Sequence, residues 1–596
     1  MFTLQRRPIL EVANRKSRST LAVNVRSLVV ILALAAPLLV TQLASAQDVP
    51  LPIDPGTLGR EQGVPRSVEP GTLGLDQEPP KPKSIPRDLF PDPSAPKAPA
   101  ESKSYSFVLQ SLTVEGSTVF DRVDLLTVSR PHLGKKITAA TLFNIASGIT
   151  RLYNEAGYAL CVAYVPAQKI EERGHAKIKV VEGFIDELVF TGESHALSKR
   201  AMRNLEKLKD EKPLTSKTLE ALLLKVKDLP GLNIRTTVDK SDVNIGGAKL
   251  VVDVDYHSFS INAGLNNRGS DSQGPGRAEL GFSLFGLLGR DSGFSLRGQS
   301  ALDKNEFKYL GSNYQKVISD SGDKVGLIAY KSESEPTLEA LAELRYISSS
   351  EQVSVNYSRP LQRSRGKNIE ATAVLDVRES TSEVAAGEIT GEKTRVLRLG
   401  LTYDWVSDGG ATSLLGATLS QGLEILDATK NGAENISRED AEFDFTSLRI
   451  DGNHLQPLSR RFSLLFSLLA QYSPNSLSSS EECGWGGEFM GRAYDDFELS
   501  GDACLLMSAE LQLNLGGSPN GFRLIQPYVY WDGGELFDES RNQRESEIGR
   551  SLGAGIRILI GQHHSINAEI AKPIADAVLQ EESDDPRGFV SWRMNY

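Results

Sequence analysis

From Phe259 to the end of the chain, apolar and polar residues alternate one by one. Leu397, Leu399, Leu401, Tyr403 and Trp405 share one face, and Arg398, Thr402 and Asp404 the other. Phe462, Leu464, Phe466 and Leu468 oppose Ser463, Ser467 and Gln471, while Leu511, Leu513 and Leu515 oppose Glu510, Gln512 and Asn514. Leu552, Ala554, Ile556 and Ile558 oppose Ser551 and Arg557. Such alternation predicts strands with one apolar and one polar face. A soluble sandwich also alternates, but its charged residues belong on outer faces, in connected patches facing water. Here the pattern fits strands of roughly 9–11 residues that are apolar outside and polar inside. Backbone groups in lipid must all be paired, so the sheet has to close. The expectation over 258–596 is a transmembrane β-barrel of about sixteen antiparallel strands.

Upstream the period changes. Ser106–Glu115 reads as a strand and Asp121–Thr127 as a short helix. In Thr138–Ala156, Leu142, Ile145, Ile149 and Leu152 recur at helical spacing, and Gly157 ends the helix. Leu160–Val165 and Ala176–Val181 read as strands, closing on Glu182-Gly183. The same order returns with strand Ile185–Thr191, helices Ser198–Lys209 and Thr215–Lys227, and strands Asn233–Asp239 and Lys249–Tyr256. Two small α+β modules, 105–183 and 184–257, therefore precede the barrel.

The N-terminus adds an export signal over 1–46. Arg6, Arg7, Arg15, Lys16, Arg18 and Arg26 precede the apolar run Leu28–Val40, and Ala44-Ser45-Ala46 forms a small-x-small cleavage site. The alternative is a membrane anchor, for which a run broken by Pro37 is short. Residues 47–104 hold 13 of the 28 prolines, and Pro55-Gly-Thr-Leu-Gly59 recurs as Pro70-Gly-Thr-Leu-Gly74. This segment is expected to be a disordered linker.

Composition narrows the partners. A net charge of −11 argues against nucleic acid, and three cysteines in 596 residues make no disulfide scaffold. His563-His564 has no ligand-spaced companion, so no metal site is expected. Gly289–Gly293 (GRDSG) lacks the spacing of a nucleophile elbow. The chain reads as a non-enzyme without a cofactor.

Two stretches stand apart. Gly486–Asp502 (GGEFMGRAYDDFELSGD) is too polar and too rich in glycine for a core strand and reads as a loop. The strand behind it alternates, with Ile525, Pro527, Val529 and Trp531 on one face and Gln526, Tyr528, Tyr530 and Asp532 on the other. That parity points Asp532 into the barrel.

The two modules, with Val-Val-Glu-Gly at their junction, resemble POTRA domains. With the loop and the aspartate strand, residues 105–596 resemble the outer-membrane transporters of two-partner secretion, the hemolysin secretion/activation (TpsB) proteins. The family's loop motif is Val-Arg-Gly-Tyr/Phe; here it reads Gly491-Arg492-Ala493-Tyr494. Leu477, Glu481, Gly486, Gly487 and Leu499-Ser500-Gly501-Asp502 match its surroundings. The family's aromatic-x-Asp-x-Gly strand is Tyr530-Trp531-Asp532-Gly533-Gly534. Gly491 and Ala493 depart from the pattern, and Ala493 would be strained if the family's glycine needs a positive φ. The resemblance implies that Arg492 folds back to Asp532 inside the barrel, and guanidinium and carboxylate match bidentately. Cys483 and Cys504 flank the loop; in an oxidising compartment they either form a disulfide or remain free, with Cys161 unpaired. Val590, Trp592, Met594 and Tyr596 share one face of the terminal strand Phe589–Tyr596. Phe589, Trp592 and Tyr596 resemble the signal by which outer-membrane barrels are recognised.

What the resemblance implies is a translocator. POTRA domains in the periplasm would recognise an unfolded, TpsA-like client, and the barrel would pass it to the cell surface. Outer-membrane lipid and the barrel-assembly machinery are the other expected partners. The alternatives are an assembly or insertion factor of the same superfamily and a simple porin. The porin leaves two peptide-receptor modules without a task.

Overall fold

The structure, a computed structural model, describes residues 98–596 apart from 171–172, 271–272, 303–305, 337–344, 517–520, 541–542 and 575–584. The expected export signal and nearly all of the expected linker lie outside the described residues. Ala100–Lys103, at the linker's end, form a single 3-10 turn.

The stripe on the second predicted helix builds the first module. Its elements are β1 (Ser106–Glu115), α1 (Arg122–Ser129), β2 (Lys136–Thr138), α2 (Ala139–Glu155), β3 (Val162–Tyr164) and β4 (Arg173–Val181). The Asp121 side chain accepts from the backbone of Val123 and Asp124 and so starts α1. Gly157, at φ +87°, ends α2. The sheet runs β2-β1-β4-β3, with β1 parallel to β4. Leu142, Ile145 and Ile149 of α2 pack on Phe107, Leu109 and Ile178. The Glu182 carboxylate accepts from the backbone of Thr118 (2.7 Å) and Val119 (3.1 Å) and from the Tyr153 hydroxyl (2.7 Å). Burial pushes this carboxyl up, but the donated hydrogen bonds outweigh burial and hold it below its ordinary value. The junction glutamate thus fastens the end of β4 to α2 and to the turn after β1.

The second module repeats the plan with β5 (Phe184–Gly192), α3 (Lys199–Glu206), α4 (Ser216–Lys227), β6 (Leu232–Lys240) and β7 (Gly247–Tyr256). Ser198 and Thr215 cap its helices by accepting from Ala201 and Thr218. The sheet runs β5-β7-β6, and again the first strand is parallel to the last.

The barrel's strands are β8 (Phe259–Asn266), β9 (Arg277–Phe285), β10 (Ser292–Ala301), β11 (Phe307–Val317), β12 (Lys324–Ser334), β13 (Ile347–Arg363), β14 (Lys367–Val384), β15 (Gly387–Val406), β16 (Thr412–Gly422), β17 (Thr446–Pro457) and β18 (Phe462–Tyr472). Between β18 and the rest lies a loop holding β19 (Cys483–Trp485) and β20 (Leu499–Gly501). The ring resumes with β21 (Ala503–Leu513) and its short continuation β22 (Leu515–Gly516). It ends with β23 (Phe522–Ser540), β24 (Gln543–Ile560), β25 (His564–Pro573) and β26 (Arg587–Asn595). Sixteen antiparallel strands close when β26 pairs β8, with Asn266 opposite Ser591 and Asn262 opposite Asn595. Leu399, Leu401, Val529, Trp531 and Leu552 are exposed on the outside, whereas Asp404, Tyr528, Asp532 and Ser551 are buried inside. Among the described residues no helix is long and apolar enough to cross a membrane.

Three turns at one barrel end carry the second module. Arg200 pairs with Asp291 and donates to the Val317 carbonyl at 2.7 Å. Arg203 and Lys207 reach Asp320 at 2.7 and 3.1 Å. Arg363 clamps Asp228 through two bonds of 2.7 and 2.8 Å. The hydrogen bond from Arg203, helped by Lys207, holds the Asp320 carboxyl well below the usual range. A depressed carboxyl contributes fully above the ordinary aspartate value of ~3.9 and loses its contribution as pH falls through the lowered one. Asp320→Asn is therefore expected to loosen the module at pH 7, read as a broader distance distribution between spin labels on α3 and the barrel rim. The difference should persist to about pH 4 and close only below it.

Candidate functional site

The loop between β18 and β21 is polar and rich in glycine and serine, a composition that normally belongs in water. Here it turns inward. β19 and β20 pair as a hairpin, Cys483 opposite Gly501 and Trp485 opposite Leu499. Trp485 is fully buried and drives the hairpin against the wall. The wall makes room with two glycines in register, Gly534 of β23 and Gly549 of β24. A Cβ on Gly534 would stand 2.8 Å from Trp485 Cε3, and one on Gly549 only 2.2 Å from its Nε1.

At the hairpin's tip, Tyr494 N–H donates to the Gly491 carbonyl at 2.8 Å, so residues 491–494 form a turn with Arg492 and Ala493 at its centre. The positive φ (+73°) falls on Gly491, not on Ala493. The strain foreseen at Ala493 does not arise, because the glycine stands before the arginine instead of after it. Tyr494 meets Trp485 edge to face at 5.8 Å and donates its hydroxyl to the Arg550 carbonyl at 3.1 Å.

The turn aims Arg492 at Asp532. Its Nε and Nη2 donate to the two Asp532 oxygens at 3.1 and 2.9 Å, and its backbone N–H adds a third bond at 3.1 Å. Asp532 lies between Ser508 of β21 and Ser551 of β24 in the strand register. Both hydroxyls donate to it, at 2.7 and 3.0 Å. Arg492 Nη1 also donates to Glu510 at 2.6 Å, and the guanidinium lies 3.2 Å from the centre of the Tyr530 ring. Arg492 is 4% exposed and Asp532 0%. A buried charge pair of this kind holds only with its remaining hydrogen-bond positions filled, as they are here.

Around this pair lies a wider set, of which the sequence singled out Tyr530 but not Arg268, Glu510, Arg557 or Glu569 as site residues. Arg557 forks onto Glu510 and lies 3.8 Å over the Tyr528 ring. Tyr528 and Tyr530 donate to Glu569 at 2.6 and 3.0 Å. Arg268 pairs with Glu569 and donates to the carbonyl of Arg492 at 3.0 Å. Three arginines, at 492, 557 and 268, thus face three acids, at 532, 510 and 569. The alternation had put Glu510 and Arg557 on inward faces; their pairing depends on register between strands.

The loop's flanks are fastened as well. Asp502 accepts from Leu477 N–H at 2.6 Å and from Arg438 at 2.7 Å, and Arg438 also reaches Glu482 and Asp538. Glu481 pairs with Arg398 at 2.8 Å. Cys483 and Cys504 are joined as a disulfide, with Cα atoms 6.4 Å apart, and Cys161 is free and buried. Burial pushes the Cys161 thiol up to about 11. In the terminal strand Val590 and Tyr596 are exposed on the outer face that Trp592 shares, while Phe589 is buried on the lumen face with the Arg268 guanidinium 3.8 Å from its ring centre. Phe589 is one residue out of phase with Val590 and so belongs to the inner side.

Residues 246–557 match the family described as haemolysin secretion/activation protein ShlB/FhaC/HecB, and residues 107–183 match the ShlB-type POTRA domain. The heme/hemopexin transporter protein HuxB of Haemophilus influenzae (strain 86-028NP) is 22% identical over 472 residues, 76% of this chain and 80% of that protein. Among solved structures, CdiB from Escherichia coli superposes with a TM-score of 0.67 at 18% identity, covering 86% of this chain and 94% of that one. CdiB from Acinetobacter baumannii gives 0.57 at 18% identity, covering 87% and 93%. These two show a shared fold. The family match takes in most of the barrel together with the docked loop and the aspartate strand, and the chain belongs to the haemolysin secretion/activation family ShlB/FhaC/HecB, transporters of the outer membrane with POTRA domains on the periplasmic side.

Proposed function

We propose that this transporter receives an unfolded partner protein in the periplasm, recognises it with its POTRA modules and passes it through the barrel to the cell surface. The observation that carries the reading is the Arg492–Asp532 clasp, which seats a long outer loop deep inside the barrel wall. A passive solute pore has no need of a five-bonded acceptor for a loop arginine. In this reading Arg492 and Asp532 hold the loop in the conformation that transport requires. Gly491, Ala493 and Tyr494 shape the tip, Gly534 makes room for Trp485, and the Cys483–Cys504 bridge fixes the loop's root. Folding of the partner outside biases the direction. The transporter's own insertion runs through the barrel-assembly machinery, which reads the terminal strand with Trp592 and Tyr596 turned toward lipid.

Deletion of the chain tests this reading. The partner, sought first in the adjacent gene, should vanish from the medium while other outer-membrane barrels stay at their normal levels. A general loss of those barrels would select the assembly-factor reading instead.

A further inference from the structure

The tip of the loop carries both signs of charge. Arg492 faces the acids of β21 and β23, but Glu488 and Asp495 on either side of it face the opposite way. Arg593 donates to both oxygens of Glu488 at 2.8 Å. Arg587 pairs with Asp495 and also donates to the Ala493 carbonyl at 3.3 Å. Both arginines lie on β26, six residues apart and hence on the same, inward face of the strand that closes the barrel.

We propose that Arg587 and Arg593 are positioning residues for transport: they form a second anchor, opposite in sign to the first, that fixes the orientation of the tip. The inference rests on the reading that secretion needs the docked loop. The first anchor, with Tyr494 on the Arg550 carbonyl, holds the tip on the β23–β24 side, and the β26 arginines hold its other side. Two anchors of opposite sign set its direction, and a reversed tip would bring Glu488 and Asp495 toward Asp532 and Glu510, where like charges repel. The tip thereby braces β23 against β26, strands separated in the ring by β24 and β25.

The test reverses the signs. Arg587→Asp with Arg593→Glu should lower secretion of the partner by about tenfold or more, since it sets like charges together, while heat-modifiable gel migration still reports a folded barrel. Glu488→Arg with Asp495→Arg should do the same without touching a strand, which covers the case in which the β26 variant fails to fold. Combining all four changes restores opposite signs and should return secretion to within about threefold of wild type; a merely structural role for the arginines would give no such rescue. Wild-type secretion by the tip variant, or no rescue in a folded fourfold variant, overturns the second anchor. If Arg492→Ala also secretes normally, the docked-loop reading itself has failed, and the two failures are told apart.

Discussion

Arg492→Ala is expected to cut secretion of the partner by about a hundredfold or more while leaving the barrel assembled. Removing one member of a buried, hydrogen-bonded pair costs roughly 3–5 kcal/mol, and each ~1.4 kcal/mol is a factor of ten in the docked population. The loss falls on docking and not on the fold. Asp532 keeps the Ser508 and Ser551 hydroxyls, and Glu510 keeps Arg557. The wall is left with two arginines facing three acids, and the tip keeps only the backbone N–H of residue 492 as a donor to Asp532. Arg492→Lys should fall between the two, because an ammonium keeps the charge but loses the fork and the stacking on Tyr530. Extracellular partner by immunoblot, beside heat-modifiable migration of the barrel, reads both quantities.

Gly549→Val should displace the whole hairpin. A side chain there occupies the space of the Trp485 indole, and no small shift of a flexible group relieves it, because the ring is wedged between two strands and the tip. Burying a tryptophan removes ~150–250 Å² from water, about 4–6 kcal/mol at ~25 cal/mol per Å². Valine suits a strand, so the β23–β24 ladder should still form. The displaced tip becomes accessible from outside, and trypsin added to intact cells should cleave at Arg492 in the variant but not in wild type. Trp485→Ala should give the same phenotype. Adding Gly549→Val to it should cause little further loss, because the clash has already been removed.

The sequence announces these features unevenly. The parity of Trp531 and Asp532 reads directly from alternation, since one step along a strand flips the face. The stripe Leu142, Ile145, Ile149 is equally direct. β2 escapes notice because three residues carry no period. The partners of the clasp escape for another reason. Arg268 reaches the carbonyl of Arg492 across 224 residues of sequence, and Glu510 meets Arg492 only because the loop folds back beside its own strand. Closure of the ring sets such contacts, and no local pattern encodes them. Gly549 reads as one more strand glycine until Trp485 is placed against it. At Gly491 and Ala493 the motif's shape depends on which residue takes the positive φ, a choice that backbone geometry reveals and composition does not.

Purified vesicles show whether this chain moves an unfolded protein across a membrane by means of its docked loop. The transporter is inserted in outer-membrane lipid with its POTRA modules facing outward, the unfolded partner is added outside, and protease-protected partner is measured. Full-length protected partner is expected with the wild-type protein, and only the background of protein-free vesicles with Arg492→Ala. Equal protection by both proteins, or none by a correctly oriented and folded wild-type barrel, would rule out transport by the docked loop.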